Sequence, residues 1–233
     1  MNVALFGATG MVGSGVLLEC LGDARVDSVL VVGRNPCGVV DEKVREHLRT
    51  DFFDYEDMAD ALAGLDACFF CLGVSAYRLD EATYRRLTYD LTLAAARALE
   101  AANPGLAFCY VSGEGTDSSE KGRFMWARVK GATENALLSL LPGAYMFRPG
   151  YVQPMKGVRS KTRLYQTLYN VAAPLYPLLR RMFGGHMTTS ENVGKAMIQV
   201  AARGYEERVL ENRDINRVAT GSTPPANGGA PSP

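Results

Sequence analysis

The sequence predicts an α/β domain built on a doubly wound parallel sheet. Three observations carry that reading. The chain opens on the apolar run Asn2-Val3-Ala4-Leu5-Phe6, which meets a glycine turn, Gly7-Ala8-Thr9-Gly10-Met11-Val12-Gly13. Apolar runs then alternate with helical segments, the pattern of successive βαβ units. The 233 residues are enough for one domain with a sizeable core.

The elements follow in order. The first strand covers 2–6, and the glycine turn delivers the chain into a helix over 11–21. Apolar runs place strands at 28–32 and 45–49, followed by a helix at 57–63. The fourth strand covers 67–72, the long helix 80–102 and the fifth strand 107–112. A helix over 122–141 then has Ser118 or Ser119 available as its N-cap, and a strand at 144–148 follows. A helix over 188–203, with Ser190 as N-cap, and a short strand near 207–210 close the fold. Right-handed crossovers between such strands open a ligand crevice at their carboxyl ends.

One domain therefore spans 1–220. From Gly221 on, Ser, Thr, Pro, Asn, Gly and Ala replace apolar residues, so 221–233 is expected to be a disordered tail. Within the domain, 151–187 is expected to form a small helical cap on the substrate side. Its segment 161–183 mixes aromatic, aliphatic and basic residues, which also fits a helix lying on a membrane surface. Pro174 and Pro177 break any continuous amphipathic helix there and favour the cap.

Composition narrows the function. The 25 basic and 25 acidic residues balance, which leaves no nucleic-acid footprint. The five cysteines are an odd set in mostly apolar contexts, as in a reduced, cytoplasmic protein. Cys68-Phe69-Phe70-Cys71 has redox-motif spacing but reads as a buried strand. No basic region precedes the first apolar run, against a signal peptide. His47 and His186 lack clustered partners, so no metal site is expected.

The glycines at 7, 10 and 13 are spaced as in a Rossmann dinucleotide-binding turn shifted by one residue. Gly7 allows the tight turn, Gly10 lets a pyrophosphate approach the backbone, and Gly13 lets the helix pack closely. Thr9, Met11 and Val12 share that turn and the helix N-terminus, whose free N–H groups and dipole favour phosphate. Arg34 ends the second strand, where an acidic residue would select NAD and an arginine accommodates a 2′-phosphate. Guanidinium meets phosphate through paired, charge-assisted hydrogen bonds, so NADP is preferred. With Arg34 as an ordinary solvated turn residue, NAD stays the alternative.

Several further patterns resemble the atypical branch of the short-chain dehydrogenase/reductase superfamily, over roughly residues 1–212. The chain is similar to its NmrA-like and Tat-interacting-protein-like members and to bacterial chains labelled NAD-dependent epimerase. Thr50-Asp51-Phe52 resembles the adenine-contacting segment, which implies cofactor contacts for Asp51 and Phe52. Cys71-Leu72-Gly73-Val74-Ser75 resembles the loop under the cofactor, implying Leu72, Gly73 and Val74. Val111-Ser112-Gly113 ends the fifth strand where the family places a catalytic Ser, and Ser112 would hold a substrate oxygen. Arg148-Pro149-Gly150-Tyr151-Val152 resembles the segment covering the nicotinamide, implying Pro149, Gly150, Tyr151 and Val152. Thr188-Thr189-Ser190-Glu191-Asn192-Val193-Gly194 resembles a later helix start.

The family's chemistry uses a Tyr and a Lys four positions apart on one helix face. The Lys lowers the phenol pKa and binds the nicotinamide ribose, and the phenol is the general acid or base. Here Lys130 is present, but Trp126 stands at the Tyr position. An indole donates a hydrogen bond but is no acid or base near neutral pH. Trp126 is therefore expected to shape the substrate pocket, with Tyr89 or Tyr151 as replacement phenols. Two functions stay open: an NADP-dependent oxidoreductase acting on a small carbonyl or alcohol, and a non-catalytic NADP-binding sensor or scaffold with a regulatory protein partner. The polar loop 113–120 either closes on substrate or caps the next helix. Lys156, Arg159, Lys161 and Arg163 either meet an anionic substrate or form a solvated basic face.

Overall fold

A computed structural model describes residues 1–155 and 184–221. The membrane-or-cap segment 161–183, the basic residues from Lys156 to Arg163 and the tail beyond Gly221 lie outside the described residues.

Seven strands form one parallel sheet: β1 (Asn2–Phe6), β2 (Ser28–Gly33), β3 (Val44–Leu48), β4 (Ala67–Phe70), β5 (Ala107–Val111), β6 (Ala144–Arg148) and β9 (Val209–Glu211). Their order is β3-β2-β1-β4-β5-β6-β9. β1 pairs with β2 from Asn2↔Ser28 to Phe6↔Val32, and on its other edge with β4 from Val3↔Ala67 to Phe6↔Phe70. The chain thus reverses its direction of travel across the sheet between β1 and β4. Strand ends diverge there, and a crevice opens.

Alternate side chains of these strands serve opposite faces. Ala4, Phe6, Cys68, Phe70, Phe108 and Tyr110 meet α2 (Ala59–Leu62), α4 (Leu91–Ala102) and α5 (Met125–Leu140). Val3, Leu5, Phe69, Cys109 and Phe147 meet α1 (Met11–Gly22), α6 (Ser190–Arg203) and α7 (Asn212–Ala219). β1, β4 and the middle of β5 are covered on both faces, which explains their unbroken apolar runs.

The structure differs from the sequence reading in several places. β4 stops at Phe70; the Cys71 N–H makes one more ladder bond, to the Phe6 carbonyl, before the pairing with β1 ends. The expected helix over 80–102 is α3 (Glu81–Arg85), a π-helical turn (Arg86–Asp90) and α4. α5 starts at Met125 rather than 122, and no side chain caps it, so neither Ser118 nor Ser119 is its N-cap. At α6 the cap is Thr189, whose hydroxyl accepts from the Asn192 N–H at 3.0 Å; Ser190 instead accepts from the Met155 N–H. β7 (Tyr151–Gln153) and β8 (Met187–Thr189) form a second, two-stranded parallel sheet. α7, started by a Glu211–Asp214 capping box, also has no counterpart in the sequence reading.

α5 approaches the loop after β5 without room for a side chain at Gly131. A Cβ there would stand 1.8 Å from the Asp117 carbonyl oxygen. Gly131→Ala is expected to force α5 off this loop and destabilise the domain by about 1–3 kcal/mol or more, the range for overpacking. Urea unfolding checks this, and parental stability would contradict the packing.

Candidate active site

The glycine turn forms the floor of the crevice. Gly7 has φ +83, a conformation glycine adopts without penalty, and a Cβ would meet the Cys71–Leu72 peptide at 2.8 Å. At Gly13 a Cβ would stand 2.2 Å from the Gly7 carbonyl oxygen. Gly10 differs: its Cβ would meet only that oxygen, at 3.2 Å, and Gly10 lines the crevice. The turn's own packing requires glycine at 7 and 13, while glycine at 10 keeps open space in front of a helix N-terminus. α1 starts there with no side-chain cap and no acidic residue in its first turn, so its dipole and free N–H groups stand unopposed.

The crevice has a volume of about 690 Å³. Four carboxyl-end segments wall it: Gly10–Val12 after β1, Cys71–Val74 after β4, Val111–Gly115 after β5 and Pro149–Gly150 after β6. α5 contributes Trp126 and Lys130, one turn apart on one face. A smaller hollow beyond the turn is lined by Gly7, Thr9, Gly33, Arg34, Phe52 and Leu72 among others, which puts Arg34 at the end of β2 as expected. Asp51 does not line that hollow; its carboxylate accepts from the Phe53 N–H at 2.8 Å and shapes the bend.

A polar network holds the far end. The Lys130 ammonium donates to the Ser112 carbonyl oxygen. Burial pushes Lys130 down to about 8, against the pull of the Glu134 carboxylate one turn on. Glu134 has no exposed surface, and Arg148 meets it with Nε, 3.1 Å from each carboxylate oxygen, and with Nη2. Glu134 in turn holds the Arg148 pKa up. The Ser112 hydroxyl donates within this network, to Glu134 or to the Phe147 carbonyl. One hydroxyl has one proton to give, so the expected donation from Ser112 to a substrate oxygen is corrected.

The candidate phenols are also placed elsewhere. Tyr89 lies on the π-helical turn with the Arg85 guanidinium 4.0 Å from its ring centroid, packed against the core and not lining the crevice. Tyr151 lies on β7, its hydroxyl donating to Gln153 at 3.0 Å. Val152 is buried on the same strand, and neither residue lines the crevice. Pro149 and Gly150 do line it. A Cβ at Gly150 would stand 2.2 Å from the His186 carbonyl oxygen. The buried Asn212 fixes this approach: its Oδ1 accepts from the Gly150 N–H, and its Nδ2 donates to the Gly185 and Met187 carbonyls, each at 3.0 Å. The sequence reading gave no role to Glu134, Arg148 or Asn212. A carboxylate four residues after Lys130 on one helix face was the available signal for the first.

No family model matches this chain. Protein HTATIP2 of Rattus norvegicus is 29% identical over 153 residues, which span 64% of this chain and 62% of that protein. A short-chain dehydrogenase family protein from Francisella tularensis superposes with a TM-score of 0.62 at 16% identity, covering 87% of this chain and 91% of that one. The dTDP-glucose 4,6-dehydratase DesIV from Streptomyces venezuelae gives a TM-score of 0.66 at 14% identity, covering 95% and 80%. The chain is similar in sequence to HTATIP2 over about two thirds of its length. The solved structures share its fold.

The buried Glu134–Arg148 pair sets a measurable part of the domain's stability. Arg148→Met is expected to cost about 3–5 kcal/mol, because it leaves Glu134 buried without its countercharge. Adding Glu134→Leu to that variant is expected to recover much of the loss. Denaturant unfolding of both proteins tests it; a single variant as stable as the parent would contradict the arrangement.

Proposed function

We propose that this chain binds NADP in preference to NAD and reduces a small carbonyl compound. The observation that carries the reading is the crevice at the switch point, with an unopposed helix N-terminus at one end and the Lys130 ammonium at the other. DesIV, which shares the fold, was solved with NAD and TYD bound, and MoeE5 with UDP-glucose and NAD.

The residues fit such a cofactor. The space kept open at Gly10 suits a pyrophosphate, which takes the N–H groups of Met11 and Val12. Thr9, Phe52 and the exposed Arg34 flank the adenosine end, with Arg34 free to meet a 2′-phosphate. Leu72, Gly73 and Val74 form the wall beneath, and Pro149 and Gly150 border the nicotinamide end. Lys130 orients the adjoining ribose. When bound, the reduced cofactor supplies a hydride. Trp126 presents an indole face and one N–H donor to the substrate. Ser112 acts through position: its carbonyl anchors Lys130, and its hydroxyl braces Glu134.

One observation favours a second reading, a non-catalytic NADP-binding sensor or scaffold: no tyrosine lines the crevice among the described residues. Turnover of NADPH against a panel of aldehydes, ketones and quinones separates the two. A protein that binds NADPH tightly and reduces nothing supports the sensor.

Two substitutions test the cofactor assignment by calorimetric titration. Arg34→Ala is expected to weaken NADP by about 1.5–3 kcal/mol, the range for hydrogen bonds to charged groups, and to leave NAD nearly unchanged. Equal affinity of the parent for both would refute the preference. Gly10→Ala is expected to keep the parental melting temperature and lose affinity for both dinucleotides, since its methyl takes the pyrophosphate's space. Undiminished binding would remove the glycine turn from the site.

A further inference from the structure

We infer that Lys130 itself gives the substrate oxygen its proton, taking over the step that a phenol performs in the family this chain resembles. The inference rests on the reductase reading above.

The other candidates are committed elsewhere. Of the described residues lining the crevice, Cys71, Glu114 and Lys130 carry side chains that ionise in water. Burial pushes the Cys71 thiol up, so it holds its proton too firmly to be a useful acid. Glu114 turns to His186 at the rim. The Trp126 indole donates but does not ionise, and the Ser112 hydroxyl is held by Glu134 and the Phe147 carbonyl.

Lys130 has the right geometry. An ammonium carries three N–H bonds, so donation to the Ser112 carbonyl leaves two for the crevice. Gly113 lies beside the ammonium: a Cβ there would sit in ordinary contact with Nζ, at 3.8 Å. Trp126 lies one turn earlier on the same face, so a carbonyl compound against the indole is within reach of Nζ. Burial adds to this. It places Lys130 at about 8, where the group is charged at neutral pH and still yields a proton readily.

The step balances. The carbonyl carbon takes a hydride, with its electron pair, from the reduced nicotinamide. The carbon–oxygen π pair moves onto oxygen. An O–H bond forms there as one N–H bond of Lys130 breaks. The products are an alcohol, the oxidised cofactor and a neutral amine that still donates to the Ser112 carbonyl. Water entering the crevice returns the proton to Lys130. In the oxidative direction the neutral amine is the base.

The titratable groups around Lys130 are Glu134 on its own helix, Glu114 and the protonated Cys71 from the loops after β5 and β4, and Arg148 from β6, which is paired with Glu134. Arg148 keeps its charge throughout the accessible range. Reduction is therefore expected to fall as pH rises through about 8, because the neutral amine is no acid.

Trp126 is the sole tryptophan of the chain and stands beside the group in question, so its emission reports on the site. In the protein without cofactor, emission is expected to titrate near pH 8, and in Lys130→Arg that transition is expected to vanish. NADPH absorbs where tryptophan emits, so quenching of Trp126 measures binding independently of turnover. Lys130→Arg keeps a cation on the Ser112 carbonyl but cannot release a proton near neutral pH. It is expected to bind NADPH within severalfold of the parent and to reduce carbonyls on the order of 10²–10⁴-fold more slowly, the usual weight of general acid catalysis. Lys130→Met is expected to show the same loss, with circular dichroism confirming its fold. A Lys130→Arg protein with parental rate and pH profile overturns the donor role and leaves the reductase reading intact. A parental emission that does not titrate between pH 7 and 9.5 also overturns the donor role. A parent that quenches with NADPH yet reduces nothing in the panel overturns the reductase reading, and the donor role with it.

Discussion

A carboxyl group with no exposed surface anchors the far end of the crevice. Arg148 faces Glu134 from β6, and Ser112 donates to it from the end of β5. Removing two charges from water is costly, and such a pair seldom raises stability over an apolar alternative. Its value here is positional. Arg148 also reaches Glu211 at the end of β9 and the Ser118 hydroxyl in the loop after β5. One guanidinium therefore ties together α5, the ends of β6 and β9, and the loop that rims the crevice. Lys130 adds a further tie one turn earlier, from α5 to the Ser112 carbonyl.

The glycine-turn end of the crevice is fixed by a different means, the absence of side chains. Gly15 lies against Ser190, where a Cβ would stand 2.4 Å from the Ser190 Cβ, and Gly194 lies against Glu19 and Val16. α1 and α6 thus pack nearly backbone to backbone. Together with the tight turn at Gly7 and Gly13, this leaves α1 little freedom to tilt. A helix N-terminus acts on phosphate only within its first turn, so its aim has to be held closely. The two ends are complementary: charge sets the distance at one, and close van der Waals packing sets it at the other.

Much of this was legible in the sequence, for physical reasons. β1 and β4 are covered on both faces, so their apolar runs are continuous and bounded by turns. The glycines at 7, 10 and 13 are close in sequence because one turn needs them all. β7 and β8 were not legible: each is three residues long, too short for any alternation, and 33 residues lie between them. Tyr89 was read on a continuous helix, but the π-helical turn around it changes which residues share a face. Ser112 was read at the right strand end; its partner could not be, because Glu134 reaches it only once α5 has packed over the sheet. Arg148 was seen within its motif, yet its role follows from that same packing.

Trp126 stands where the family that this chain resembles carries a phenol, and the difference bears on its neighbour as well. Beside an ammonium, a phenol is a polar neighbour that can accept a hydrogen bond, whereas an indole offers a flat apolar face and a donor only. At the position four residues before Lys130, the indole offers no lone pair to which the ammonium could donate. Desolvation then dominates at Lys130, with the carboxylate of Glu134 acting against it and itself satisfied by Arg148. The result is an ammonium held less firmly charged than a surface lysine, at the wall of the same crevice. An indole at this position thus leaves in place the desolvation that lowers the pKa of Lys130. Loss of the phenol and the altered acidity of Lys130 are two aspects of one local environment, set by the helix face that both residues share.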